Sequence, residues 1–131
     1  MAFRKTRMFT EGELDFIKVL WAMGEAVPEE IQKALHEKGR TLTYGTIRNV
    51  LVVMIEKGFV SRRKKGKVYL YKAKTDADKA RRNMAQNLLK SAFDGSESLL
   101  MGAILKNRDI RQEELEEIER LIAERKKGNK K

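Results

Sequence analysis

The chain has 131 residues, with 29 Lys+Arg against 19 Asp+Glu, a formal net charge of +10, one His, one Pro and no Cys. That length suits one domain, or two very small ones sharing a core, and a hydrophobic share of 41% belongs to a folded chain rather than a disordered one. The lack of Cys excludes disulfides, thiolate metal sites and thiol nucleophiles, while the basic excess points to a polyanionic partner, nucleic acid before anionic membrane.

Met1 to Phe9 carries Arg4, Lys5 and Arg7 with no apolar stretch behind them, so it does not read as a signal peptide. Thr10-x-x-Glu13 is a capping box, in which the Thr hydroxyl and the Glu carboxylate each satisfy a free backbone N–H. Leu14, Ile17, Leu20 and Trp21 follow at helical spacing, and Gly24 ends the pattern. Pro28 suits the first turn of a second helix, with Glu29 and Glu30 where the helix dipole favours acids. Ile31 and Leu35 form its apolar stripe and Gly39 closes it. Thr43 caps a third helix that runs to about Lys57 and stops at Gly58. Ile47, Val50, Leu51, Met54 and Ile55 share its buried face. Tyr44, Gly45, Arg48, Asn49 and Val52 fall on the other side, flanked by Thr46 and Val53.

Phe59 to Arg63 and Lys67 to Tyr71 are both β-prone, and Lys65-Gly66 supplies a turn between them. The result is a β-hairpin with a cationic tip. Beyond Thr75 the period is helical again. Ala80, Met84, Leu88 and Ala92 form one stripe, Gly95 and Ser96 interrupt it, and Leu99, Leu100, Ala103 and Ile104 form a short helix. Leu115, Ile118, Leu121 and Ile122 define a last amphipathic helix. Lys126 to Lys131 reads as a frayed basic tail.

The charge is unevenly spread. Residues 1–74 hold 16 cations and 8 acids, a net of +8, and residues 75–131 hold 13 and 11, a net of +2. Seven cations and no acid lie between Phe59 and Lys74. No Gly-rich phosphate loop is present, and no stretch approaches the roughly 18 apolar residues of a spanning helix. His36 lies in a run of Lys and Glu and reads as a solvated helix residue. No catalytic group with a partner can be assembled, so an enzyme is not expected, and neither a cofactor nor a metal is implied.

Three helices and a hairpin describe a winged helix-turn-helix over residues 1–74. The fold class is mainly α with a small β-hairpin, followed by a helical dimerisation region over 75–131. In such a module Arg48 suits a guanine edge, Asn49 an adenine, and Thr46 a base or a phosphate. Tyr44 suits a phosphate, and Arg62, Arg63, Lys64, Lys65 and Lys67 neutralise the backbone. Met84, Leu88, Leu99, Leu100, Ile104, Leu115, Ile118 and Ile122 are more apolar surface than three short helices bury among themselves. They are the expected homodimer contacts.

Thr46 to Leu51 and Ile55 to Val60 resemble the recognition helix and first wing strand of the penicillinase repressor family, the BlaI, MecI and CopY type. Glu13-Leu14, Val19-Leu20-Trp21 and the run Gln112 to Ile118 are similar to its first and last helices. The resemblance covers about residues 10–125. It implies a cytoplasmic homodimeric repressor on a palindromic double-stranded DNA operator, with Tyr44, Thr46 and Arg48 as contacts. It also implies relief by cleavage within the dimerisation region or by a metal, and a sensor protease or a small-molecule inducer is the candidate further partner. Three departures stand out. The Cys cluster of the copper-responsive branch is absent, Gly102-Ala103 stands where the cleaved branch has Asn-Phe, and Val52-Val53 stands where members often have Thr-Arg. The alternatives are a non-specific architectural DNA- or RNA-binding winged helix and a protein-interaction adaptor; a membrane role is not expected.

Overall fold

A computed structural model describes residues 9–106 and 109–129. Arg4, Lys5 and Arg7 of the basic N-terminus and Lys130 and Lys131 of the tail lie outside them. The chain divides into two compact units, Met1–Ala85 and Gln86–Lys131.

The first unit begins with α1 (Glu11–Met23), β1 (Glu25–Ala26), α2 (Pro28–Glu37) and α3 (Tyr44–Glu56). The strands β2 (Val60–Lys65) and β3 (Val68–Ala73) and the start of α4 (Ala77–Ala92) complete it. The capping box forms as expected: Glu13 N–H donates to Thr10 Oγ1 at 3.1 Å, and Thr10 N–H donates to Glu13 Oε1 at 3.0 Å. Pro28 occupies the first turn of α2, where its missing N–H costs nothing, and Glu30 Oε1 accepts from Val27 N–H at 3.0 Å. Thr43 Oγ1 caps α3 by accepting from Thr46 N–H at 3.1 Å.

The core is one cluster drawn from every element of the winged module. Phe16, Ile17, Val19 and Leu20 come from α1, Ile31 and Leu35 from α2, and Ile47, Leu51 and Met54 from α3. Ala26, Val60 and Tyr71 close it from the sheet. The buried face of α1 is wider than the Leu14, Ile17, Leu20, Trp21 stripe, because Phe16 and Val19 are inside while Leu14 and Trp21 are only partly buried. Trp21 has a second task. Its Nε1 donates to Thr75 O at 2.8 Å, and the Arg81 guanidinium lies 5.4 Å from its ring centroid. These contacts tie α1 to the segment that leaves β3 and starts α4.

Glu13 is the single charged residue in the core among the described residues, 6% exposed. Its Oε2 accepts from Lys57 Nζ at 2.8 Å, which joins the start of α1 to the end of α3. Burial raises the Glu13 pKa, but the hydrogen bond from Lys57, the Thr10 N–H and the Lys57 charge outweigh it, and the carboxyl titrates below its ordinary range.

The sheet is antiparallel with strand order β1-β3-β2. The pattern of alternation did not anticipate β1. It is two residues long, and it exists because Ala26 pairs with Tyr71 and is sealed into the core. The hairpin turn also falls one residue later than Lys65-Gly66. Lys65 pairs with Val68, so Gly66 and Lys67 are the two turn residues and Lys67 belongs to the turn rather than to the strand. Gly66 has φ +64° while Lys67 does not have positive φ, the pattern of a type II′ turn that needs Gly at its first position.

The second unit contains the end of α4, α5 (Glu97–Lys106) and α6 (Gln112–Gly128). Ser96 Oγ caps α5 by accepting from Leu99 N–H at 3.1 Å. Leu89 is buried, whereas its neighbour Leu88 on the expected stripe is exposed. No residue of α5 or α6 is buried. The basic tail begins as helix rather than as frayed chain, since α6 continues to Gly128 with Arg125, Lys126 and Lys127 in a last turn that favours cations.

Lys57→Met removes the ion pair but keeps the capping box. It is expected to cost about 1–3 kcal/mol, because Glu13 is left buried with fewer donors. The folded Glu13 pKa is depressed, so this contribution is present above the ordinary glutamate range and disappears as pH falls through the folded value. Denaturant titrations of both proteins should therefore differ at neutral pH and converge in acid.

Candidate nucleic-acid interface

The buried face of α3 fixes what its other face presents. Ile47, Leu51 and Met54 are fully buried, with Val50 and Ile55 packed at the edge of the core. Tyr44, Thr46, Arg48 and Asn49 are all exposed on the remaining surface. Tyr44 and Arg48 are one turn apart, and the Arg48 guanidinium lies 5.9 Å from the Tyr44 ring centroid. Thr46 Oγ1 accepts from Thr43 Oγ1 at 3.0 Å, which orients it at the helix start and leaves its own proton available. The loop before α3 is held in two places. Gln32 Nε2 donates to Leu42 O at 2.9 Å, and Arg40 pairs with Asp15 at 2.8 Å. His36, solvent-exposed as expected, is not without a partner, since its Nδ1 lies 2.9 Å from Thr41 Oγ1.

The hairpin sorts its cations by strand parity. Directly paired residues share a face of the sheet. Val60, Arg62 and Lys64 therefore lie on the same face as Tyr69, Tyr71 and Ala73, the face whose base enters the core. Ser61, Arg63 and Lys65 share the opposite face with Val68, Leu70 and Lys72. On the first face the Arg62 guanidinium lies 4.1 Å from the Tyr69 ring centroid, a close cation–π contact that restrains the side chain. On the second face Arg63 is not free. Its Nε and Nη2 donate to the two Glu25 oxygens at 2.8 and 2.9 Å, reaching across β3.

The Arg63 hydrogen bonds hold the Glu25 carboxyl below the usual carboxylate range, with Lys72 and Lys65 adding to the effect, and the same pairing raises Arg63. Among the described residues no salt bridge engages Arg62, Lys64, Lys65 or Lys67. All four are exposed. Of the expected hairpin cations, Arg63 alone has its charge already matched. Neither Glu25 nor Tyr69 stood out in the sequence, because their partners are defined by strand register.

The expected dimer residues divide by exposure. Leu88, Leu99, Ile104 and Ile122 are exposed, while Met84, Leu100, Leu115 and Ile118 are half-buried. Within the second unit a cleft of about 230 Å³ is lined by Ile104, Ile110 and Ile118 together with Asp109, Arg111 and Glu114. Met101, Leu105 and Leu121 add to the open apolar surface. Gly102-Ala103 lies in the middle of α5. Among the described residues no cluster of His, Asp or Glu could hold a metal, and no helix is long and apolar enough to cross a membrane.

Comparison with known proteins gives matches over most of the chain. A family model described as penicillinase repressor matches residues 9–124. The penicillinase repressor of Bacillus licheniformis is 25% identical over 97% of this chain and 98% of its own length. The methicillin resistance regulatory protein MecI of Staphylococcus aureus is 23% identical over 90% of this chain and 95% of its own, and that of Mammaliicoccus sciuri gives the same figures.

Arg63→Gln should move the Glu25 carboxyl upward toward the ordinary glutamate range, with Lys72 and Lys65 still holding it down in part. A carboxyl-carbon NMR titration of the folded protein measures this, and an unmoved Glu25 would show that Arg63 does not hold it in solution.

Proposed function

The chain belongs to the penicillinase repressor family, and from that premise we propose that it represses transcription as a cytoplasmic homodimer bound to a palindromic operator in double-stranded DNA. The observation that carries this reading is the exposed face of α3. Tyr44, Thr46, Arg48 and Asn49 stand there together because the opposite side of the helix is locked into the core. Arg48 donates to a guanine edge, Asn49 pairs with adenine, and Thr46 and Tyr44 reach phosphate or base. Arg62, Lys64, Lys65 and Lys67 neutralise phosphates, which supplies affinity and register but no sequence information.

The open apolar surface of α5 and α6 supports a dimer. Leu99, Ile104 and Ile122 are exposed on a unit with no buried residue in either helix, and a second copy would cover them. With Met84, Leu88, Leu100, Leu115 and Ile118 they form the proposed contact set. Two recognition helices roughly 34 Å apart would then read successive major grooves, which is how a small reader gains specificity. Relief by a sensor protease or a small-molecule inducer is part of the same proposal. Cleavage at Gly102-Ala103 would first require α5 to open, since that bond is helical.

Selection from random duplex DNA followed by footprinting tests the reading and should return a palindrome. If Arg62, Lys64, Lys65 and Lys67 each neutralise one phosphate, a dimer should show log K falling against log salt with a slope of about −7. Arg48→Ala should cost about 1–3 kcal/mol and relax one base position, whereas Lys65→Ala should weaken all sequences alike and reduce the slope. Equal affinity for unrelated duplexes would favour the architectural alternative, and no binding even at low salt would favour the adaptor. Sedimentation should give a dimer without DNA, with Ile122→Glu shifting it toward monomer.

A further inference from the structure

The exposed face of α3 is not wholly polar. Val52 is 47% exposed and Val53 42%, as open as Tyr44 at 41%. A lone exposed apolar side chain is ordinary on a protein surface. Two in succession on this helix are a different matter, since valine is a poorer helix former than Ala, Lys or Gln and, with nearly half of each side chain open to solvent, packing offsets that only in part. The helix cannot turn to hide them, because Leu51 and Met54, on either side in sequence, are fully buried. Helical spacing places Val52 one turn beyond Arg48 and Val53 one turn beyond Asn49. Arg48 and Asn49, the two residues suited to base edges, thus each have an exposed valine next to them along the helix.

The surface that would cover these valines must also accept Arg48, Asn49 and the unpaired cations of the hairpin. No acid lies on α3 between Tyr44 and Val53. Duplex DNA meets that charge requirement, and its major groove offers one apolar group at base level, the 5-methyl of thymine. We propose that Val52, with Val53 beside it, reads thymine methyl groups and is a specificity-determining element of operator recognition. This rests on the operator-binding reading above. Four residues of helix advance about 6 Å, and base pairs are spaced about 3.4 Å, so the thymine facing Val52 lies about two base pairs from the guanine that Arg48 would contact.

The test uses the full chain and the duplex that selection returns. Each thymine is replaced in turn by uracil, which preserves base pairing and removes only the methyl. Binding is measured by fluorescence anisotropy at fixed salt. One or two positions per half-site should bind about fourfold more weakly, the rest unchanged. Val52→Ala should bind the thymine and uracil duplexes equally, at the weaker level. Its thermal melt should match that of the parent, because alanine is the better helix former at an exposed position. A protein that prefers one sequence and responds to Arg48→Ala, yet binds every uracil duplex as tightly as the parent, overturns this proposal alone. So does Val52→Ala with an undiminished thymine preference, or Val52→Ala that dissociates the DNA-free dimer, since the valine would then face a second copy. A protein with no duplex preference overturns the operator-binding reading as well.

Discussion

The winged module depends on a single carboxylate. Glu13 uses one oxygen to complete the cap of α1 and the other to hold Lys57 at the end of α3. The first and third helices are thereby joined at the point where the chain turns into β2. Ion pairs removed from water often give little net stability, because desolvation offsets their attraction. Their value lies in geometry: breaking one leaves a buried charge, so alternative placements of α3 against α1 are penalised. Phe59 follows directly, packed against Phe9 with centroids 4.4 Å apart, and its carbonyl accepts from Lys74 N–H at 2.9 Å. The base of the hairpin is therefore anchored to the same corner.

From that corner outward, packing decides chemistry. The apolar side of α3 is fully committed to the core, so its polar side has no choice but to face solvent. In the hairpin, Val60 and Tyr71 enter the core at the base, and strand alternation then dictates which cations lie on which face. Glu25 matches Arg63 by spanning from β1 to β2 across β3, and the same bidentate contact fastens the short edge strand. The second unit has the opposite character. Its charges are organised along α6, where Arg120 pairs with both Glu117 and Glu124, while Leu88, Leu99, Ile104, Leu121 and Ile122 among its apolar side chains remain open. One unit offers cations and donors, and the other offers uncovered hydrophobic area.

Much of the winged module was legible in local signals. The Thr10 and Thr43 caps, Pro28 in a first turn and the stop at Gly58 are short-range chemistry, and each acts within one turn of helix. The polar face of α3 was legible for the same reason: a helical period states which residues share a side. What escaped were contacts that depend on strand register or on how elements meet rather than on the helical period. Strand β1 has two residues and no alternation to detect. The turn at Gly66-Lys67 differs by one residue from Lys65-Gly66 because register is set by the docking of Val60 and Tyr71, not by turn residues alone. The match of Glu25 to Arg63 and the stack of Arg62 on Tyr69 both follow from that register. The mate of His36, Thr41, is a loop residue whose position depends on how α2 meets α3.

By itself, then, the sequence determined the order of the helices, their caps, the apolar faces and the concentration of positive charge between Phe59 and Lys74. Those properties are set by neighbours within a turn of helix or a pair of strand residues, where propensity and periodicity act directly. The tertiary structure decided which charges remain available. Arg63 is matched and Lys64 is not, Glu13 is buried and Glu11 is exposed, and Val52 and Val53 are open while Leu51 and Met54 are sealed. Charge and apolarity belong to residues, but desolvation and pairing belong to positions in space, and those positions exist only once the sheet and the three helices have closed on a common core.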